Sequence, residues 1–165
     1  MKIIFLIRHA KSSWENEQIK DHERPLNKKG LRDGSIMGEK LNILYPAPEK
    51  ILCSTAIRAR ETVKLIKEKW FPLKQVDYSR QLYEGPTSVI LDSIQSIPSN
   101  INSIALFFHN PMISHLANLL GSISNINIPT CGVLMMTSEK KDWPSIEVGG
   151  CKLVGYEYPK KFVNH

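Results

Sequence analysis

The stretch that decides the fold is Ile3-Ile4-Phe5-Leu6-Ile7-Arg8-His9-Ala10-Lys11-Ser12-Ser13-Trp14. Its first five residues are apolar, rich in β-branched types and bounded by charge. That is the pattern of a strand buried on both faces, and such strands belong to parallel sheets covered by helices. The strand ends at Arg8-His9, and in open α/β sheets ligands bind in the crevice beyond the carboxyl ends of the strands. On this stretch alone, a solvated arginine and a packing histidine account for the residues equally well, because position in a fold is only a prior about function.

Working outward, a chain of 165 residues with 42% hydrophobic and 23% charged content fits one globular domain over residues 1–165. The apolar run near Met1 is too short to span a membrane, and it lacks the small-residue cleavage site of a signal peptide, so a cytoplasmic location is expected. Cys53, Cys131 and Cys151 form no CxxC pair, which fits reduced thiols packing as small hydrophobes better than disulfides or a zinc site. The formal charge of +6 favours anionic partners in general. It is spread along the chain without an arginine-rich block or an RNA-binding motif, so neither nucleic acid nor membrane is an expected partner.

After the first strand, residues 14–23 are polar and irregular, and Asp21-His22-Glu23-Arg24-Pro25-Leu26-Asn27 reads as a loop running into a helix capped by Asn27. That helix is expected to reach about Leu44, with Leu31, Gly34, Gly38, Leu41 and Leu44 along one side and the two glycines approaching the sheet closely. Lys50-Ile51-Leu52-Cys53-Ser54 reads as a second buried strand. Ala59, Val63, Ile66 and Trp70 then recur at helical spacing. Arg58 lies in the first turn of that helix, against the macrodipole, a conflict that an anion held there removes. A short strand is expected within residues 74–79, a loop at 81–86, and a helix capped by Thr87 and stopped by Pro98. Residues 102–108 read as a third buried strand followed directly by His109, and Asn110-Pro111 as the N-cap of a helix ending at Gly121. Strand character returns at 132–137 and 152–158, and His165 in the tail reads as a spectator.

Three strand-to-loop junctions thus present Arg8 and His9, then Ser54 and Arg58, then His109, while a separate loop presents Glu84. In a right-handed parallel sheet these junctions share one edge, so the basic groups converge on a small anion such as a phosphoryl group. There is no GxxxxGK[ST], GxGxxG or kinase-type Asp-Phe-Gly, and no metal-ligand set such as HExxH, so neither cofactor nor metal is expected.

These residues resemble the histidine phosphatase superfamily, branch 1, in which phosphoglycerate mutase-like enzymes are grouped. The matching pieces are Arg8-His9-Ala10, then Ser54-Thr55-Ala56-Ile57-Arg58-Ala59-Arg60-Glu61-Thr62, then Leu82-Tyr83-Glu84 and Phe108-His109. Their order and spacing cover about two thirds of the chain. Arg8-His9-Ala10-Lys11-Ser12-Ser13-Trp14, Arg24-Pro25-Leu26 and His109-Asn110-Pro111 are most similar to the short SixA-type phosphohistidine phosphatases. Ala10 replaces the signature glycine, and Glu15 stands where mutase-like members place a phosphate-binding asparagine. A carboxylate there argues against phosphosugar acids.

The resemblance implies a three-layer α/β/α sandwich around a mostly parallel sheet. It also implies that His9 attacks phosphorus in line, forming a phosphohistidine that water hydrolyses. Arg8, Arg58 and His109 would clamp the phosphoryl oxygens, with no metal needed for charge neutralisation. Placing His9 beside two arginines should keep it neutral. Glu84 matches the family's proton donor, with a solvated loop carboxylate as the alternative. Arg24 lines the rim or pairs with Asp21 or Glu23, and Ser12 and Ser54 add hydroxyl donors, an N-cap role competing for Ser54. The expected substrate is the phosphohistidine of a histidine phosphotransfer protein. A small phosphate ester, or phosphoprotein binding without turnover, are the alternatives.

Overall fold

Strand β1 (Lys2–Arg8) divides its side chains between two cores. Ile4 and Leu6 enter one with Ile94, Leu106 and Leu116; Phe5 and Ile7 enter the other with Leu41, Val63 and Trp70. A strand that is apolar on both faces demands a layer on each side, and the chain supplies them. The structure, a computed structural model, describes residues 1–163, so the reading of His165 falls outside it.

Helix α1 (Lys28–Leu44), β2 (Lys50–Ser54), α2 (Ile57–Trp70) and β3 (Val76–Ser79) follow β1. Next come α3 (Gln81–Glu84), α4 (Thr87–Gln95), β4 (Ser103–Phe108), α5 (Met112–Gly121), β5 (Val133–Ser138) and β6 (Lys152–Glu157). One six-stranded sheet has the order β3-β2-β4-β1-β5-β6. The β1–β4, β2–β4 and β2–β3 pairs are parallel, and β5 runs antiparallel to both β1 and β6. Residues of α1 and α2 fill the core on one face, and those of α3, α4 and α5 fill the other, giving the expected three-layer α/β/α sandwich. No helix among the described residues is long and apolar enough to cross a membrane.

The order of strands makes the crevice. After β1 the chain departs toward β2, and after β4 it departs the other way, toward β5, so these neighbours flank a topological switch point.

Several local expectations are corrected. Asn27 caps α1 as read, its side chain accepting from the Gly30 amide, but Leu31 and Leu44 are exposed. The buried side of α1 is Gly30, Asp33, Gly34, Met37, Gly38 and Leu41. The glycines serve a helix contact rather than a sheet contact. A Cβ on Gly34 would lie 2.7 Å from Leu65 Cδ1, and one on Gly38 would lie 3.1 Å from Ile66 Cα, both in α2. Residues 81–84 are a short helix rather than loop because Leu82 buries under it and the Gly85 amide closes on Gln81. Thr87 is inside α4, which starts after Pro86. Asn110 does not cap α5; its side chain accepts from Ser114 Oγ, and Pro111 occupies the cap position.

Candidate active site

Register brings the two histidines together. Arg8 on β1 lies opposite Phe108 on β4, so the next residue of each strand leaves the sheet side by side. Parallel neighbours are about 4.8 Å apart, and the His9 and His109 ring centroids are 5.1 Å apart. Strand β2, on the far side of β4, ends at Ser54, whose hydroxyl lies 2.7 Å from His109 Nε2. The helix that follows β2 brings Arg58 Nε within 3.3 Å of His9 Nε2. Thr62, one turn along α2, ties the pieces: its hydroxyl accepts from the Ala10 amide at 2.9 Å and donates to the Arg58 carbonyl at 2.7 Å.

These contacts fix both imidazoles. His9 Nδ1 lies 2.7 Å from the Ala10 carbonyl, which can only accept, so Nδ1 carries the proton. Nε2 then offers its lone pair, toward which Arg58 Nε donates. Ser54 Oγ accepts from the Ala56 amide at 3.2 Å and keeps a proton of its own, which we assign to His109 Nε2. That leaves the His109 proton on Nδ1. Ser54 is therefore an orienter of His109, and Ala56 rather than Ser54 is the N-cap of α2.

Both rings are held neutral. His9 is lowered to about 4, chiefly by burial and then by Arg58, Arg8 and Arg24, against the Ala10 hydrogen bond. His109 is lowered to about 3, again chiefly by burial, with His9 and Arg58 adding to it. The arginines expected to keep His9 neutral contribute, but burial contributes more.

Arg8 Nη1 donates to the Ile128 carbonyl at 2.8 Å, while its Nε has no partner. Arg24 is buried; its Nη1 donates to Ser12 Oγ at 2.7 Å, its Nε pairs with Asp21 at 3.2 Å, and its guanidinium lies 3.5 Å over the exposed ring of Trp14. Thus Arg24 both pairs with Asp21 and sits beside the cup, with Ser12 holding it. Glu84 is not brought into contact with these groups. Its exposed carboxylate bonds Arg80 Nε at 3.0 Å.

Asp21 emerges as a centre that sequence reasoning treated only as a surface partner of Arg24. Its carbonyl accepts from Arg58 Nη1 at 2.8 Å, and its Oδ2 accepts from Arg58 Nη2 at 3.1 Å and from the Tyr83 hydroxyl at 2.8 Å. The available signal was a carboxylate three residues before Arg24 in a segment leading into a helix cap. Tyr83 lies in the quoted Leu82-Tyr83-Glu84 piece but was given no role; its ring stands edge-on to His109 at 5.6 Å.

Comparison with known proteins agrees with this geometry. A family model for the histidine phosphatase superfamily (branch 1) matches residues 4–86. An uncharacterized protein of Mycobacterium leprae is 32% identical over 93% of this chain and 100% of its own length. The structure of the protein histidine phosphatase SixA complexed with tungstate superposes with a TM-score of 0.86 at 18% identity, covering 98% of this chain and 99% of that one. A putative SixA phosphohistidine phosphatase from Nakamurella multipartitia gives 0.82 at 23% identity, covering 96% of each chain. The strand that ends at Arg8-His9, the arginine on the second helix, the family model over half of the chain and the relative aligned nearly end to end lead to one conclusion: the chain belongs to the histidine phosphatase superfamily, branch 1, with the fold of the SixA structures.

Proposed function

We propose that this phosphatase removes phosphoryl groups from phosphohistidine on another protein, through a covalent intermediate on His9. The observation that carries the reading is where the unmet hydrogen-bonding capacity lies. Among the described residues, the buried side-chain nitrogens or oxygens without a partner are Arg8 Nε and His109 Nδ1. Both belong to the cup around His9. Leaving such a group unpaired costs about 1–3 kcal/mol, and a phosphoryl oxygen accepting from both recovers that. The tungstate in the related SixA structure is an oxyanion of similar shape.

In the first step His9 Nε2 forms a bond to phosphorus while the bond from phosphorus to the substrate nitrogen breaks. Arg8, Arg58 and His109 stabilise the charge spread over the equatorial oxygens. The proton stays on His9 Nδ1, donated to the Ala10 carbonyl, so phosphorylated His9 carries a positive ring. In the second step water attacks phosphorus, both water protons end on the released phosphate, and the ring returns to its neutral form. The guanidiniums supply the neutralisation that another enzyme takes from a metal. Trp14, exposed and stacked on Arg24, supports a protein as substrate, because tryptophan and arginine dominate the energetics of protein contacts.

Rapid-quench reaction with a phosphohistidine phosphotransfer protein tests this. Acid-labile phosphate on His9 in the first turnover and none in His9→Ala is the expected result. Comparable release by His9→Ala would refute it. Glu84→Gln should leave phosphohistidine turnover nearly unchanged, since its carboxylate pairs with Arg80 outside the cup and a neutral imidazole leaves without taking a proton; a large loss would favour a general phosphomonoesterase.

A further inference from the structure

Resting on the phosphohistidine reading, we propose that Asp21 is a specificity-determining residue that selects the leaving group, accepting the N–H of a protonated substrate imidazole and disfavouring oxygen leaving groups. Among the described residues it is the carboxylate paired with arginines of the cup: Arg24 Nε at 3.2 Å and Arg58 Nη2 at 3.1 Å. Arg58 Nε meanwhile touches His9 Nε2. Asp21 therefore stands one guanidinium away from His9, and its side chain is half exposed while the His9 ring is buried. An in-line attack from His9 expels the leaving atom away from the buried ring, and a leaving imidazole that departs past Arg58 meets this carboxylate. Tyr83 holds the carboxylate there through a 2.8 Å hydrogen bond and itself borders His109.

The carboxylate stays ionised. Burial acts to raise its pKa, but the Tyr83 hydrogen bond and the two arginines bring it down to about 2. It is therefore an acceptor and a fixed negative charge at neutral pH, not a proton donor. Facing it, a phosphoester must develop negative charge on oxygen, which the carboxylate repels. An N-phosphorylated imidazole protonated on its remote nitrogen behaves oppositely. Its N–H donates to Asp21, the P–N bond electrons return to the ring, and neutral imidazole departs with its remote proton still in place. No proton has to move during transfer. The other groups packed on Asp21 are Arg24, Arg58 and Tyr83, and each donates to it, so none competes as an acceptor for the substrate N–H.

The experiment compares kcat/KM for a phosphohistidine protein and for p-nitrophenyl phosphate in wild type, Asp21→Asn and Asp21→Glu. Asp21→Asn should lose about tenfold on phosphohistidine and gain on the ester, while Asp21→Glu recovers most of the wild-type ratio. The fall of phosphohistidine turnover with rising pH should also begin at lower pH in Asp21→Asn, because the substrate proton is no longer held. A loop that merely loses its anchor would lower both substrates together, and that result overturns the assignment. A wild-type enzyme that cleaves the ester but never phosphohistidine overturns the substrate reading itself, and this inference with it.

Discussion

Acidifying the protein from pH 7 to pH 5 should leave His9 neutral and, on the proposed mechanism, ready to react. An ordinary histidine with a pKa of about 6.5 is only about 3% neutral at pH 5. His9, lowered to about 4, remains roughly nine-tenths neutral there. The two cases differ about thirtyfold in reactive imidazole. The assay is the rate of His9 phosphorylation in a single turnover at saturating substrate, alongside imidazole NMR, which should report a proton on Nδ1 and a bare Nε2 across this range. The same burial carries a stability consequence of definite sign. Between pH 6.5 and about 4 the unfolded chain binds protons that native His9 and His109 refuse, so stability falls as pH falls. The slope is up to about 1.4 kcal/mol per pH unit for each histidine, and above pH 6.5 the slope vanishes with stability at its full value. A His9 midpoint near 6.5, or activity that falls thirtyfold by pH 5 with it, would refute the account of the buried neutral ring.

Two further outcomes follow from particular contacts. Trp14→Ala should raise KM for a phosphoprotein several-fold and leave KM for free phosphohistidine nearly unchanged, read from steady-state kinetics on both substrates. Gly30→Ala should destabilise the fold by about 1–3 kcal/mol in denaturant unfolding, because its Cβ would sit 2.2 Å from the Lys11 carbonyl oxygen, where backbone cannot yield.

Much of the fold was legible because buried strands and capped helices write themselves in runs and periods. Residues 3–7, 50–54 and 102–108 announced three parallel strands, and all three strand ends met at one crevice. What the periodicity of α1 could not say was which layer its glycines faced. Gly34 and Gly38 mark small residues whether the neighbour is a sheet or, as here, the second helix. Arg8, His9, Arg58 and His109 were readable because each follows or ends a recognisable element. Asp21 was not, since the segment between Trp14 and Asn27 has no period and its contacts to Arg58 and Tyr83 span 37 and 62 residues. Glu84 illustrates the converse: a motif position places a residue in sequence, while the side chain turns to Arg80.

The two imidazoles hang from adjoining strands at equal register, so their separation is set by hydrogen bonds of the sheet, whereas Trp14, Asp21 and Arg24 ride on one irregular span outside it. The span is nonetheless tied into the cup, because Asp21 holds Arg58 through both its carbonyl and its carboxylate. Exchanging only residues 14–20 would be the economical way, in nature or in the laboratory, to redirect such a scaffold to new clients while those anchors stay in place.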